Sequence, residues 1–382
     1  MTYHMKMKNS PMIPADDMPY RKLQIKTKGY NDFHNPLFLL SANVCFSDGC
    51  IIKANTVILI GANIGIKEFS VHSATCRKIS ENISKVIVGK ERTIELMLVT
   101  LIAEGHILLE DVPGVAKTLM AKCLAKSIGG TFNRIQFTPD LMPADITGFN
   151  VWDQTSGKFS FHPGPVISHV LLADEINRTI PRTQSSLLEC MEEHQLTVDG
   201  KTYSLPDPFF VIATQNPIEQ EGTFPLPEAQ LDRFLLKARL GYPEREEEIR
   251  IMEQFQKKDP FEEMAAVATP EEVLKLRQAR GSIRVSAPIK AYITDIVRAT
   301  RSHAAIEFGA SPRGSLGLMR AGQAQALIRG REFVLPDDIK SLTGPVLEHR
   351  LVLKQQDRLR GEESHALLQS ILEDIPVPST QG

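Results

Sequence analysis

The stretch HILLEDVPGVAKTLMAKCLAKSIGG (106–130) constrains this chain more than any other. HILLE (106–110) is an apolar run of strand length. KTLMAKCLAKSIGG then places Leu119, Met120, Cys123, Leu124 and Ile128 at helical spacing, with Gly129 as the stop. Pro113 and Gly114 supply a turn between the two. A strand that turns into a helix with Lys-Thr at its start is the frame of a phosphate-binding loop. Backbone N–H groups turn inward, the lysine reaches the outer phosphates, and the hydroxyl meets magnesium. The usual spacing, Gly-x-x-x-x-Gly-Lys-Ser/Thr, is kept only at its end. Asp111 stands at the first glycine and Ala116 at the second, while Lys117 and Thr118 match. Asp111 falls at the strand end, where glycine is least needed. Ala116 adds one methyl, which is tolerable if its φ is negative. The candidate nucleotide-binding residues are therefore Asp111, Val112, Pro113, Gly114, Val115, Ala116, Lys117, Thr118 and Leu119. Taken alone, the same stretch also reads as strand, turn and helix with an incidental Lys-Thr.

Further segments supply the groups such a loop would need. VLLADE (170–175) is an apolar run ending in two acids, so a strand buried on both faces would deliver Asp174 and Glu175 to its carboxyl end, where α/β sheets bind ligands. Asp174 would hold magnesium through water and Glu175 would polarise an attacking water. The plainer reading is an acidic strand end capping the next helix. FFVIATQNP (209–217) is a third buried strand, and Asn216 at its end would orient water or touch the terminal phosphate; an isolated Asn-Pro is more often a turn. In LPEAQLDRF, Arg233 sits at a helix end, where it would stabilise transition-state charge in a neighbouring subunit. In GASPRGS, Arg313 opens a later helix, from which it would reach across to the phosphates. For either arginine a surface salt bridge is the ordinary alternative. Strands alternating with helices imply α/β architecture with a parallel sheet between helices. After about 240 the strands stop, and PEREEEIRIMEQFQKK, PEEVLKLRQAR, APIKAYITDIVRATRSH and SPRGSLGLMRAGQAQALIRG read as helices. Pro270, Pro288, Pro312 and Pro336 lie near their starts, where a missing N–H costs little.

Composition narrows the remaining classes. The chain has 382 residues, 42% hydrophobic and 24% charged, as expected for a soluble globular protein of two or three domains. A formal net charge of -2 argues against a nucleic-acid partner. Five scattered cysteines fit thiols in a reducing compartment rather than a disulfide framework, and Cys45 and Cys50 lack the neighbours of a zinc site. No stretch reaches the roughly 20 apolar residues of a membrane span; TVILIGANIGI (56–66) comes nearest. Without a signal peptide, a cytoplasmic location is the expectation. Residues 1–72 carry no motif and read as an N-terminal extension of uncertain status.

In order, these features are a lysine loop, an Asp-Glu strand, an Asn strand end, an arginine, and a helical region opening on another arginine. So ordered, the chain resembles the AAA+ ATPases and, within them, the MoxR family, from about 75 to 375. LLEDVPGVAKT looks like that family's Walker A, in which both glycine and alanine precede the lysine. LLADEINRTIPRTQSSLLECMEE resembles its Walker B, ATQNPIEQEGTFPLPEAQLDRF its sensor 1 and arginine-finger region, and GASPRGSLGLMRAGQAQALIRGREFVLPDDI its sensor 2 helix and lid. The resemblance implies a P-loop AAA+ core over 73–240, a helical lid over 241–376 and a tail over 377–382. It implies ATP and Mg2+ as ligands, with Lys117 on phosphate, Thr118 and Asp174 at the metal, Glu175 as catalytic base, Asn216 as sensor 1, Arg233 as a finger acting in trans and Arg313 as sensor 2. Residues 137–166 resemble the family's helix-2 insert, a β-hairpin at about 145–165 projecting toward a ring pore with Trp152 and Phe159 near it. A hexameric ring is implied, acting as a chaperone that matures or loads a client protein, often beside a von Willebrand factor A domain partner. Three other readings stand beside it: a regulatory ATP-binding module without turnover, a nucleic-acid motor, and a chelatase-type motor.

Overall fold

The computed structural model describes residues 42–45, 51–54, 60–110, 114–155, 157–216, 222–256, 259–359 and 363–378. Asp111, Val112 and Pro113, and most of the 1–72 extension, lie outside the described residues. The chain divides into two compact units, residues 1–67 and 68–382. In the first, Ala42–Cys45 and Ile51–Ala54 pair as antiparallel strands. A helix spans Ile60–Ser84, so helical structure begins upstream of the periodic pattern that starts near 75. Gly89, at φ +72°, separates it from the helix Glu91–Ile102.

The second unit is built on five strands: β1 (Ile107–Glu110), β2 (Phe132–Gln136), β3 (Val170–Asp174), β4 (Phe210–Gln215) and β5 (Leu236–Ala238). Their spatial order is β5-β1-β4-β3-β2 and all neighbours are parallel. β1 and β3 are buried along their whole length, as their unbroken apolar runs require of strands covered on both faces. Alternation sorts their side chains into two cores. Ile107, Leu109, Val170, Leu172, Phe210 and Ile212 join one cluster with the helices Glu91–Ile102 and Lys117–Ser127. Leu108, Leu171, Ala173, Val211 and Ala213 join the other, with Leu187 and Leu188 of the helix Pro181–Glu193. The first cluster runs on without a break into the helices Pro270–Gly281, Ala287–Ser302, Pro312–Ile328 and Pro336–Leu347. Three of these start at hydroxyl caps, Thr269, Ser286 and Ser311, whose side chains accept backbone N–H groups of the first turn.

The helical region is not free of strands, contrary to the sequence expectation. Ile306–Phe308 pairs antiparallel with Val352–Leu353, a two-stranded contact too short to carry a periodic signal. Core and helical region are joined by an ion pair between buried Arg350 and half-buried Asp232. Arg350 donates through Nε to Asp232 Oδ1 at 2.7 Å and through Nη2 to the Phe234 carbonyl at 2.7 Å. Ser311, the cap of the helix Pro312–Ile328, donates to the other Asp232 oxygen at 3.3 Å.

His106, at the entry to β1, is locked in a neutral tautomer. Its Nδ1 accepts the Val211 N–H at 3.0 Å, which leaves Nε2 to donate to the Met191 carbonyl at 3.0 Å. Burial pulls its pKa down from 6.5 to about 3. A protonated ring would set N–H against N–H at Val211. Between these two values the unfolded chain binds the extra proton, so the contribution of His106 is complete above about 6.5 and is lost as pH falls toward 3. Urea unfolding across that range should show stability falling with pH, and His106→Asn should make the fall shallower.

Candidate nucleotide site

The C-terminal ends of β1, β3 and β4 lie side by side, and the helix Lys117–Ser127 begins beside them. A cleft of about 440 Å3 opens there. The loop and helix contribute Gly114, Ala116, Lys117, Thr118 and Leu119 to its walls. β3 contributes Asp174, with Glu175 following, and Asn216 follows β4. These residues come from three segments between Gly114 and Asn216, and the sheet brings them together. Val115 is buried beneath the loop, in the core, and does not line the cleft.

Two non-glycine residues of the cleft have left-handed backbone. Ala116 caps the lysine helix at φ 61°, ψ 21°, so the condition of a negative φ is not met. The chain places alanine where glycine would be free of strain, at a cost of roughly 1–2 kcal/mol. Glu175 has φ 58°, ψ 50°. Its N–H donates to Thr214 Oγ1 at 2.8 Å and its carbonyl accepts the Arg178 N–H at 2.9 Å, which together hold the strained turn.

The acids are held by residues that the sequence did not single out. Thr214, fully buried on β4, donates to Asp174 Oδ1 at 2.6 Å. Arg134 on β2 donates to Asp174 Oδ2 through Nε at 3.1 Å and Nη2 at 2.7 Å. The same Nη2 donates to Gln136 Oε1 at 2.6 Å, which turns the Gln136 amide nitrogen toward Glu175 Oε2 at 2.7 Å. Arg178 Nε also meets that Glu175 oxygen at 3.2 Å. Arg134 and Gln136 are two apart on one strand and so share a face; FNRIQ carries that alternation, but not which face meets the cleft. At the foot of the loop, burial pushes the Glu110 pKa up. Lys237 at 2.7 Å, with hydrogen bonds from Gln215 and Arg239, nonetheless draws it below the usual carboxylate range. That fixes the end of β1 from which the loop departs.

Arg233 and Arg313 do not line this cleft. Both meet one carboxylate on the helix Pro181–Glu193. Arg233 Nε lies 3.1 Å from Glu192 Oε2, and Arg313 Nη1 lies 3.2 Å from Glu192 Oε1. Arg313 thus lies with Arg233 beside Glu192 and not among Lys117, Thr118 and Asp174, while Arg350 and Ser311 both bond Asp232, nearby in sequence to Arg233. The hairpin Gly148–Asp153/Lys158–Pro163 also stands apart from the cleft. Its exposed Trp152 and Phe159 meet edge to face at 5.1 Å, and Phe161 stacks on Tyr203 of a second hairpin, Gln195–Val198/Lys201–Ser204, that the sequence reading did not separate.

The donor set suits a hard divalent cation. A threonine hydroxyl and one carboxylate lining the same cleft, Thr118 and Asp174, match magnesium, which keeps most of its water and takes few protein ligands. No cluster of three or more metal-binding side chains occurs among the described residues. Among those residues no helix is long and apolar enough to cross a membrane.

A lysine loop, an acid pair at the neighbouring strand end and an appended helical domain define a P-loop ATPase of the AAA class. The family model for the ATPase family associated with various cellular activities matches residues 106–236, and the AAA lid domain matches 298–371. The chain is 42% identical to the chaperone MoxR1 of Mycobacterium tuberculosis, over 78% of this chain and 81% of that protein. It is 31% identical to protein MoxR of Paracoccus denitrificans, over 80% and 97%, and 49% identical to the uncharacterised protein YeaC of Bacillus subtilis, over 79% and 94%. The structure of a putative ATPase from Cytophaga hutchinsonii superposes with a TM-score of 0.78 at 37% identity, covering 83% of this chain and 99% of that one. The chain belongs to the MoxR family of AAA+ ATPases.

Ala116→Gly should relieve the left-handed strain. Offset by the greater freedom of glycine in the unfolded chain, the gain is roughly 0.5–1 kcal/mol, read as a higher urea midpoint at unchanged m-value.

Proposed function

We propose that this chain binds ATP with Mg2+ and hydrolyses it, and that a ring of six copies uses the turnover to remodel or mature a client protein. The observation that carries the reading is the single cleft in which Lys117 and Thr118 face Asp174, Glu175 and Asn216. Lys117 binds the outer phosphates, and the helix it opens turns its first N–H groups toward them. Thr118 and Asp174 hold the cation, which when bound draws charge from the phosphates. Glu175 accepts a proton from the attacking water, and Asn216 orients that water. The strained backbone of Glu175 aims its carboxylate from the strand end into the cleft. Arg233 and Arg313 share Glu192 away from this cleft, which supports their serving the cleft of a neighbouring copy, Arg233 as the finger. The chaperone role follows the relative named chaperone MoxR1. A von Willebrand factor A domain protein is the partner class proposed, with the cytoplasm as the location.

Steady-state ATP hydrolysis with magnesium, measured beside Glu175→Gln and Lys117→Ala, tests the core of this reading. The parent should turn over, Glu175→Gln should bind ATP without turnover, and Lys117→Ala should bind it far more weakly. A parent that binds ATP and never hydrolyses it would indicate a regulatory module instead.

Arg233→Ala should leave nucleotide affinity intact and lower turnover by at least about 100-fold, since a finger is worth 10³–10⁵ in rate. Mixing Arg233→Ala with Lys117→Ala subunits should restore part of the activity, because one intact cleft can then meet one intact finger. No recovery at any ratio speaks against action in trans.

A further inference from the structure

Asp174 is served on both oxygens by its own chain. Thr214 Oγ1 donates to Oδ1 at 2.6 Å, and Arg134 engages Oδ2 through two N–H groups at 3.1 and 2.7 Å. The Asp174 side chain is 13% exposed, whereas that of Arg134 is 45% exposed and lines the cleft beside Lys117. A guanidinium does not lose its charge in a protein. A divalent cation brought to the same carboxylate oxygen would face that charge at short range, where repulsion is strong. The conflict is removed if Arg134 gives up Asp174 when the cation comes.

Charge balance points to where it goes. In the cleft Lys117 and Arg134 oppose Asp174 and Glu175, so the four sum to neutrality. A nucleoside triphosphate with its divalent cation is still net negative. Were Arg134 absent, the acids would outnumber the base and repel that ligand. With Arg134 released from Asp174, both cations face the phosphates. A planar guanidinium with several donors suits phosphate oxygens.

We propose that Arg134 is a phosphate-binding residue of its own chain's cleft: it holds the place of the divalent cation on Asp174 and exchanges that carboxylate for the terminal phosphate as nucleotide and cation enter. The proposal rests on the nucleotide-binding reading of the cleft. It adds a cation that acts in the same chain to one that acts from a neighbour. It also ties Gln136 to the event, since Arg134 Nη2 is what orients the Gln136 amide toward Glu175.

Two titrations of the full chain test it, with Arg134→Gln and Arg134→Lys beside the parent. The first follows Mn2+ binding without nucleotide by electron paramagnetic resonance. Arg134→Gln should bind Mn2+ about tenfold more tightly, because the competing cation is gone. The second follows fluorescent non-hydrolysable ATP and ADP analogues with Mg2+. Arg134→Gln should lose about tenfold for the ATP analogue and less for ADP, and Arg134→Lys should recover part of the loss. Unchanged Mn2+ affinity, or equal loss for both analogues, overturns the assignment, since a structural role moves both alike. Lys117→Ala separates the levels. If the parent binds the analogues and Lys117→Ala does not, a null result at Arg134 counts against Arg134 alone. A parent that binds neither analogue overturns the cleft reading and this proposal with it.

Discussion

β3 is buried from Val170 to Asp174, and the site depends on that burial. A strand covered on both faces meets solvent only at its ends. Val170, Leu171, Leu172 and Ala173 pay for the fold with apolar area, and the first acids fall where the sheet opens. Every other group of the cleft is placed relative to that rim. The lysine helix starts beside it, Thr214 reaches Asp174 from one neighbouring strand, and Arg134 reaches it from the other. A displaced register of β2 by one residue would turn Arg134 and Gln136 away together, since alternate residues face opposite sides.

Strain and electrostatics in the cleft support one another. Glu175 and Ala116 both occupy left-handed backbone, and both line the cleft. Such conformations persist where the surroundings over-determine them. At Glu175 those surroundings are the Thr214 hydroxyl, the Arg178 N–H and the Gln136 amide. Outside the cleft, one carboxylate, Glu192, gathers a core arginine and a helical-region arginine. The ion pair of buried Arg350 with half-buried Asp232 ties the two regions. Breaking such a pair leaves a buried charge uncompensated, so it fixes geometry more than it adds stability.

Ala116 shows how a pattern can be legible while its conformation is not. The strand-turn-helix frame survives the loss of both pattern glycines, because Pro113, Gly114 and Lys117 still mark it. The sign of the Ala116 φ depends on how the loop meets the helix. The hairpin near Trp152 and Phe159 was implied by the family resemblance alone, and their edge-to-face contact follows from cross-strand pairing. The strand pair of Ile306–Phe308 with Val352–Leu353 was invisible, being two or three residues long and far apart in sequence.

The sequence by itself determined the three buried strands of the site, the main helices and the local chemistry. Buried runs, helical periods and capping residues are local signals, and so are a lysine after a turn and acids at a strand end. The tertiary structure decided which side chains meet. Arg134 on Asp174, Thr214 beneath it and Glu192 between Arg233 and Arg313 join residues separated by 40 to 121 positions. No periodicity encodes such pairings. The contacts of Asp174 arise because parallel strands order themselves as β5-β1-β4-β3-β2, not in chain order, which sets β2 and β4 on either side of β3 where its polar end meets the cleft.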